Sequence, residues 1–413
     1  MAVAHGVPVL AIPVEPVRRS WIGLLFAANL GLWMAYFTPI QVLLPEQVAE
    51  ITPQHKELWL GVVTGIGAIV AIIVNPLAGA LSDRTRLKLF GRPYGRRHVW
   101  TLAGCTISVL SIAVLADAPN LLTVTLAWCF VTVGINIMLA SLTAAVPDRV
   151  PVAQRGLVSG WIGMPQALGL VIGAILVTAV FTDIAPGYLA LGLGLVILTI
   201  PFALLTQDDP LPSGHKIKVR WKIDLRGHPD YLWAWGTRFL VQLGNALGTL
   251  YLLYFLTDAV KLDDPDTGLL YMILLYTVGM ISTAMIGGWL SDRLGRRKIF
   301  VIWSGVLITI AATLLAIWPT WAISLVAAGL FGAGYGVYLA VDTALITQVL
   351  PSESDRARDL GVVNIASAAP QALGPLLAAP IVTHLGGYPA LFGLTGVVTL
   401  LGAVAVVKIR SVR

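Results

Sequence analysis

Ser291-Asp292-Arg293-Leu294-Gly295-Arg296-Arg297 closes one long apolar run and opens the next. Early in the chain Ser82-Asp83-Arg84 stands in the same setting, and Gly95-Arg96-Arg97 completes the phrase after an insertion. A charged loop repeated at equivalent places between apolar runs is the mark of a membrane protein built by internal duplication.

Composition agrees. The 413 residues are 57% hydrophobic and 12% charged, with a mean hydropathy of +0.84, whereas a soluble domain carries about 25% charge. Cys105 and Cys129 both sit inside apolar runs, which argues against a disulfide framework or a thiolate metal site. The first twenty residues hold three prolines and no apolar core with a cleavage site, so the first hydrophobic segment is expected to stay as a membrane helix.

A helix needs about 20 residues to cross the hydrocarbon layer. Runs of that length fall at 21–44, 58–80, 98–116, 120–146, 156–180 and 186–206, then at 231–257, 267–290, 297–317, 320–349, 360–384 and 386–407. With the N-terminus cytoplasmic, 24 of the 27 Lys and Arg fall in the tails and loops on that side, leaving Lys56 and Lys261 outside and Arg238 within the seventh segment. The positive-inside rule therefore places both termini in the cytoplasm. The expected fold is all-α: twelve transmembrane helices in two six-helix, pseudo-symmetric halves, residues 1–206 and 231–413. Residues 207–230 form a cytoplasmic linker, in which Lys216, Lys218, Arg220, Lys222 and Arg226 outnumber three aspartates.

Further repeats support the duplication. Leu139-Ala140-x-x-Thr143-Ala144 recurs as Leu339-Ala340-x-x-Thr343-Ala344, and Pro165-Gln166-Ala167-Leu168-Gly169 as Pro370-Gln371-Ala372-Leu373-Gly374.

Gly288-x-x-x-Asp292-Arg293-x-Gly295-Arg296-Arg297, with its weaker copy from Gly79, resembles the signature loop of the major facilitator superfamily, and the likeness extends over the whole chain. The long basic loop from Asp83 to Arg97, the paired Pro-Gln dipeptides and Asp342-x-Ala344-Leu345 resemble the sucrose-transporter and glycoside-pentoside-hexuronide branches. The resemblance implies that Asp83, Arg84, Asp292 and Arg293 are gate residues. It also implies that the first, fourth, seventh and tenth helices line a central cavity. The glycines of the fifth segment (Gly160, Gly163, Gly169, Gly173) allow close helix approach around Pro165.

Charge inside hydrocarbon is costly, and two charges lie there: Arg238 and Asp342. Arg238 heads a stripe with Gln242, Asn245 and Thr249, all on one helical face. The first segment carries Asn29, Trp33 and Tyr36 at similar spacing, and the tenth Tyr335 and Tyr338. The expected solute contacts are Asn29, Trp33, Tyr36, Arg238, Gln242, Asn245 and Tyr338, with Asp342 carrying a coupling proton. Arg238 could instead snorkel to headgroups, Asp342 could be a structural partner, and the stripe could serve helix packing.

The function expected is secondary active transport of a small polar, sugar-like solute by alternating access, coupled to protons. The alternative is a proton-coupled drug or metabolite exporter, with Trp33, Tyr36, Tyr254 and Tyr338 lining an apolar cavity. No G-x-x-x-x-G-K-[ST] occurs, and no convergent set of His, Cys or carboxylate groups points to an enzyme. No cofactor, metal or nucleic-acid partner is expected. The expected partners are the solute, protons and lipid, for a monomer in a cell membrane, the bacterial cytoplasmic membrane as the setting.

Overall fold

A computed structural model describes residues 15–85, 88–89, 92–93, 95–208, 228–349 and 356–411. Helix α1 (Arg19–Thr38) runs through a π-helical turn (Pro39–Leu43) into α2 (Leu44–Ile51). A 3-10 turn (Pro53–His55) leads into α3 (Lys56–Arg84). Then follow α4 (Arg96–Ala116), α5 (Leu121–Arg149), α6 (Val152–Ile175) with a second π-helical turn (Leu176–Val180), and α7 (Ile184–Leu205). Beyond residue 227 come α8 (Pro229–Leu250), α9 (Leu252–Phe255) ending in a third π-helical turn (Leu256–Val260), and α10 (Pro265–Leu294). The chain finishes with α11 (Arg297–Ile317), α12 (Trp321–Val349), α13 (Arg356–His384) and α14 (Gly387–Ala405).

Among the described residues eleven helices are long and apolar enough to span a membrane, and the bent pair α8–α9 makes a twelfth. This is a multi-pass, all-α membrane protein. Two details differ from the sequence reading. The run 231–257 is not one straight helix: it breaks at Tyr251 and turns by 47°. The insertion between Asp83 and Gly95 holds a small antiparallel hairpin, β1 (Lys88–Leu89) with β2 (Arg92–Pro93), in which Lys88 faces Pro93. Of the linker 207–230, residues 209–227 lie outside the described residues.

The described chain divides into two compact units. The first comprises the described parts of Met1–Pro39, Val70–Leu176 and Phe181–Val219. The second comprises those of Ile40–Ile69, Val177–Val180 and Arg220–Arg413.

Large apolar side chains are exposed along the helices, as Leu126, Leu204, Met285 and Ile286 show. In water such surface would be a liability, but in a bilayer it meets lipid. Without a hydrophobic drive between helices, packing relies on small residues. In the first unit a Cβ on Gly169 would sit 2.8 Å from the Met34 nitrogen, and one on Gly173 would overlap the Thr38 hydroxyl. Two of the glycines predicted to aid close approach thus hold α6 on α1, whereas Gly163 faces open space. In the second unit, Cβ atoms on Gly332 and Gly336 would overlap the Tyr276 and Met280 carbonyls, so α12 rests directly on α10.

Local signals fix the helix ends. Asn120 Oδ1 accepts from the Thr123 backbone N–H at 3.0 Å, and Asp264 Oδ1 accepts from that of Thr267 at 3.1 Å. The Thr267 bonds hold the Asp264 carboxyl below the usual carboxylate range. Gly295 ends α10 at φ +62°, with its N–H bonded to the Ser291 carbonyl at 2.9 Å.

Candidate functional site

The second unit brings most of the predicted site residues together. Arg238 on α8 and Asp342 on α12 form an ion pair, with Arg238 Nη1 3.2 Å from Asp342 Oδ2. The Asp342 side chain is 5% exposed and that of Arg238 18%. Tyr338, one helical turn before Asp342, donates its hydroxyl to Asp342 Oδ1 at 2.8 Å. Arg238 Nε donates to Ser367 Oγ on α13 at 2.7 Å. The carboxylate and the guanidinium are therefore both hydrogen-bonded, the condition for keeping charge in a low-dielectric interior.

The rest of the α8 stripe is matched by tyrosines. Tyr335 on α12 donates to Gln242 Oε1 at 2.7 Å, and Tyr276 on α10 donates to Asn245 Oδ1 at 3.0 Å. The rings of Tyr276, Tyr335 and Tyr338 form a ladder, with centroids 6.3 and 6.0 Å apart. Each polar residue at i, i+4 and i+7 of α8 thus finds its partner on another helix. Sequence spacing disclosed the stripe, but it named neither Ser367 nor Tyr276 and did not pair Arg238 with Asp342. Helical periodicity places residues on a face; it carries no register between helices.

The first unit gathers the aromatic members. Trp33 stacks on Phe37 at 5.1 Å, and Tyr36 stacks on Trp128 of α5 at 6.0 Å. Asn29 is buried at 2% exposure, and its amide donates to the Leu25 carbonyl one turn back at 2.8 Å. Tyr254, the aromatic proposed to line an exporter's cavity, is 2% exposed with its hydroxyl bonded to the Pro45 carbonyl at 2.8 Å, so it is a packed residue rather than a free wall.

The repeated charged loops differ sharply. In the first unit Arg97 reaches Asp83 Oδ1 at 2.6 Å, Asp148 Oδ2 at 2.8 Å and Ser82 Oγ at 2.6 Å. Arg96 adds a second contact to Asp148 at 2.9 Å. Asp83 finds its arginine from the far side of the insertion, and Asp148, at the end of α5, was not foreseen. In the second unit Arg293 is exposed and lies 5.3 Å from the Trp289 ring. The side chains of Arg84 and Asp292 lie outside the described residues.

The motif glycines also differ. Gly95 has an ordinary φ of −63°, but a Cβ there would overlap the Asp208 carboxylate. That carboxylate accepts from the His98 backbone N–H at 2.8 Å and so caps α4. Gly295 has open space around it and is needed for its positive φ alone.

A family model described as Major Facilitator Superfamily matches residues 25–257 and 234–413. The General alpha-glucoside permease of Schizosaccharomyces pombe is 25% identical over 137 residues, covering 29% of this chain and 24% of that protein. The MFS transporter asaE of Aspergillus flavus is 24% identical over 275 residues, covering 63% of this chain and 59% of that protein. The chain thus spans less than two thirds of either relative. A crystal structure of a mutant nucleoside transporter NupG superposes with a TM-score of 0.74 over 94% of this chain and 99% of its own, at 12% identity, a likeness of fold. With both stretches of the chain matched by one family model, the protein is a member of the Major Facilitator Superfamily.

Proposed function

We propose that the protein is a secondary active transporter that carries a small polar, hydroxyl-rich solute by alternating access, driven by protons. The observation that carries this reading is the Arg238–Asp342 pair, set among three buried tyrosines and two side-chain amides. Asp342 is the proton site. Protonation would neutralise the carboxylate, weaken its hold on Arg238 and leave a guanidinium, a serine hydroxyl and a ring of tyrosines able to bind a hydroxylated solute. Coupling follows because an unpaired arginine in this setting is costly, on the order of 3–5 kcal/mol, until the solute or the returning carboxylate satisfies it. The permease name of one relative accords with a sugar-like solute.

Purified protein in liposomes with an imposed pH gradient tests the reading. Asp342→Asn should abolish gradient-driven accumulation of solute while leaving exchange across the membrane. Accumulation that survives this substitution would remove the proton assignment.

The aromatic cluster Trp33, Tyr36, Phe37 and Trp128 favours a second reading, proton-coupled export of an amphipathic compound. Expressing cells would then tolerate such compounds better than cells without the protein, and Trp33→Ala would erase the difference. Both readings place the chain in a cell membrane with its termini in the cytoplasm.

A further inference from the structure

The repeated charged phrase keeps its arginines in both copies but loses one of their partners in the second. Gly95-Arg96-Arg97 and Gly295-Arg296-Arg297 stand 200 positions apart, as Leu139 and Leu339 do. By the same offset the counterpart of Asp148 is Gln348. In the first unit Asp148 binds both arginines, and Arg96 and Arg97 are only 3% and 4% exposed. The second copy has the arginines without that acid. Arg296 is exposed, and so is Arg293 in the last turn of α10. Among the described residues no carboxylate pairs with either.

The surface beneath these two arginines is apolar. Met285, Trp289 and Arg293 follow at four-residue spacing, so they lie along one face of α10. Met285 and Trp289 are exposed, and the Arg293 guanidinium lies 5.3 Å from the centre of the Trp289 ring. Helix α11 repeats the pattern with Ile299 and Trp303, one turn apart and both exposed. The two helices pack on α12 far more than on each other. A Cβ on Gly287 of α10 would lie 3.5 Å from Val337 of α12, and one on Gly334 of α12 would lie 2.7 Å from Ile308 of α11. At 1.5 Å per residue, Trp289 is about 8 Å from the end of α10 and Trp303 about 9 Å from the start of α11. The two indoles, each 61% exposed, thus stand at about one level, with two guanidiniums beyond them. Indoles of this kind mark the depth of the headgroups in a bilayer.

We infer that the turn between α10 and α11 is a binding site for an anionic phospholipid. Arg293 and Arg296 hold the phosphate and its negative headgroup, and the acyl chains lie along Trp289 and Trp303. A guanidinium suits the task because it presents paired N–H donors in a plane that matches a phosphate, and it stays charged at every physiological pH. The occupant is a lipid rather than a dissolved phosphate because the apolar face and the two charges form one surface. The inference is independent of the transport reading, and it gives the second copy's arginines a partner from outside the chain.

Native mass spectrometry of the full-length protein in detergent tests the site, with phosphatidylglycerol or phosphatidylcholine titrated in and the Kd of the first bound lipid read from the spectra. Phosphatidylglycerol should bind more tightly. Arg293→Gln and Arg296→Gln should each weaken it about fivefold, the share of one arginine near an anionic surface. Lysine at both positions keeps the charge and should bind phosphatidylglycerol more tightly than the glutamine pair, which separates loss of charge from loss of fold. Lys408→Gln with Arg410→Gln, basic positions exposed at the end of the chain, should leave the Kd unchanged. Excess glycerol 1-phosphate should not displace the lipid. No preference between the lipids, lysines no better than glutamines, an equal loss from the Lys408 and Arg410 pair, or displacement by glycerol 1-phosphate would each overturn the site.

Discussion

At the scale of single residues, identical letters have different physical causes. Gly95 is small because the Asp208 carboxylate occupies the place of a side chain, whereas Gly295 is glycine because α10 ends in a left-handed turn. The substitutions should therefore separate. Gly295→Asn should cost little in thermal stability, since asparagine tolerates positive φ, while Gly295→Ala should cost about 1 kcal/mol. Gly95→Asn should displace the Asp208 cap and cost about 1–2 kcal/mol, read as a lowered melting temperature in detergent. A second-unit loss that equals or exceeds the first for the asparagine pair would refute this assignment. The ion pairs carry the same lesson. Arg238 and Asp342 were conspicuous as charges in apolar runs, but nothing in the order of residues said that they touch. Asp148 went unnoticed because it ends an apolar run where a loop charge is unremarkable.

At the scale of helices, the spans were legible because every apolar run had about the length that a bilayer demands, and most ends agree with the structure to within a few residues, whereas the first span, read as ending at 44, continues to Ile51. The break at Tyr251 was not legible. Leu252-Leu253-Tyr254-Phe255 contains no proline or glycine to announce it, and the hydroxyls of Tyr251 and Tyr254 are tied to the Glu57 and Pro45 carbonyls. The π-helical turns were equally silent, since one extra residue per ring leaves no mark in hydrophobicity. Glycines, by contrast, can be sorted only by their surroundings. Gly336→Val on α12 should force that helix off the Met280 carbonyl of α10, costing about 1–3 kcal/mol and spoiling the tyrosine ladder. Gly163→Ala on α6, facing open space, should leave stability unchanged or raise it by about 0.5–1 kcal/mol. Melting curves of the two purified variants would decide, and comparable losses in both would contradict the packing described.

At the scale of the whole molecule, the charge asymmetry of the loops predicts an orientation that chemical labelling can check. A cysteine at Asp263, exposed between α9 and α10, should react with an impermeant maleimide in intact cells. A cysteine at Arg293, exposed at the end of α10, should react only after permeabilisation. The reverse pattern would invert the topology. The duplication itself was plain in the sequence. The insertion already made the two copies unequal in the sequence, and the structure adds the physical difference: one charged loop is a network around Arg97, and the other leaves Arg293 exposed.

The bent span of α8 and α9 has one more consequence. Arg238 stands in the first half of α8 and Asp258 near the far end of the bent span, with about 30 Å of helix along the chain between them. A single element thus carries both the arginine paired with Asp342 and the aspartate that holds Lys56 and Tyr388. Linkage between two such sites runs both ways with equal strength. On the transport reading proposed above, whatever factor protonation of Asp342 contributes to freeing Asp258, loss of Lys56 contributes to the proton affinity of Asp342, so the acid dependence of transport becomes a gauge of a contact far from the proton.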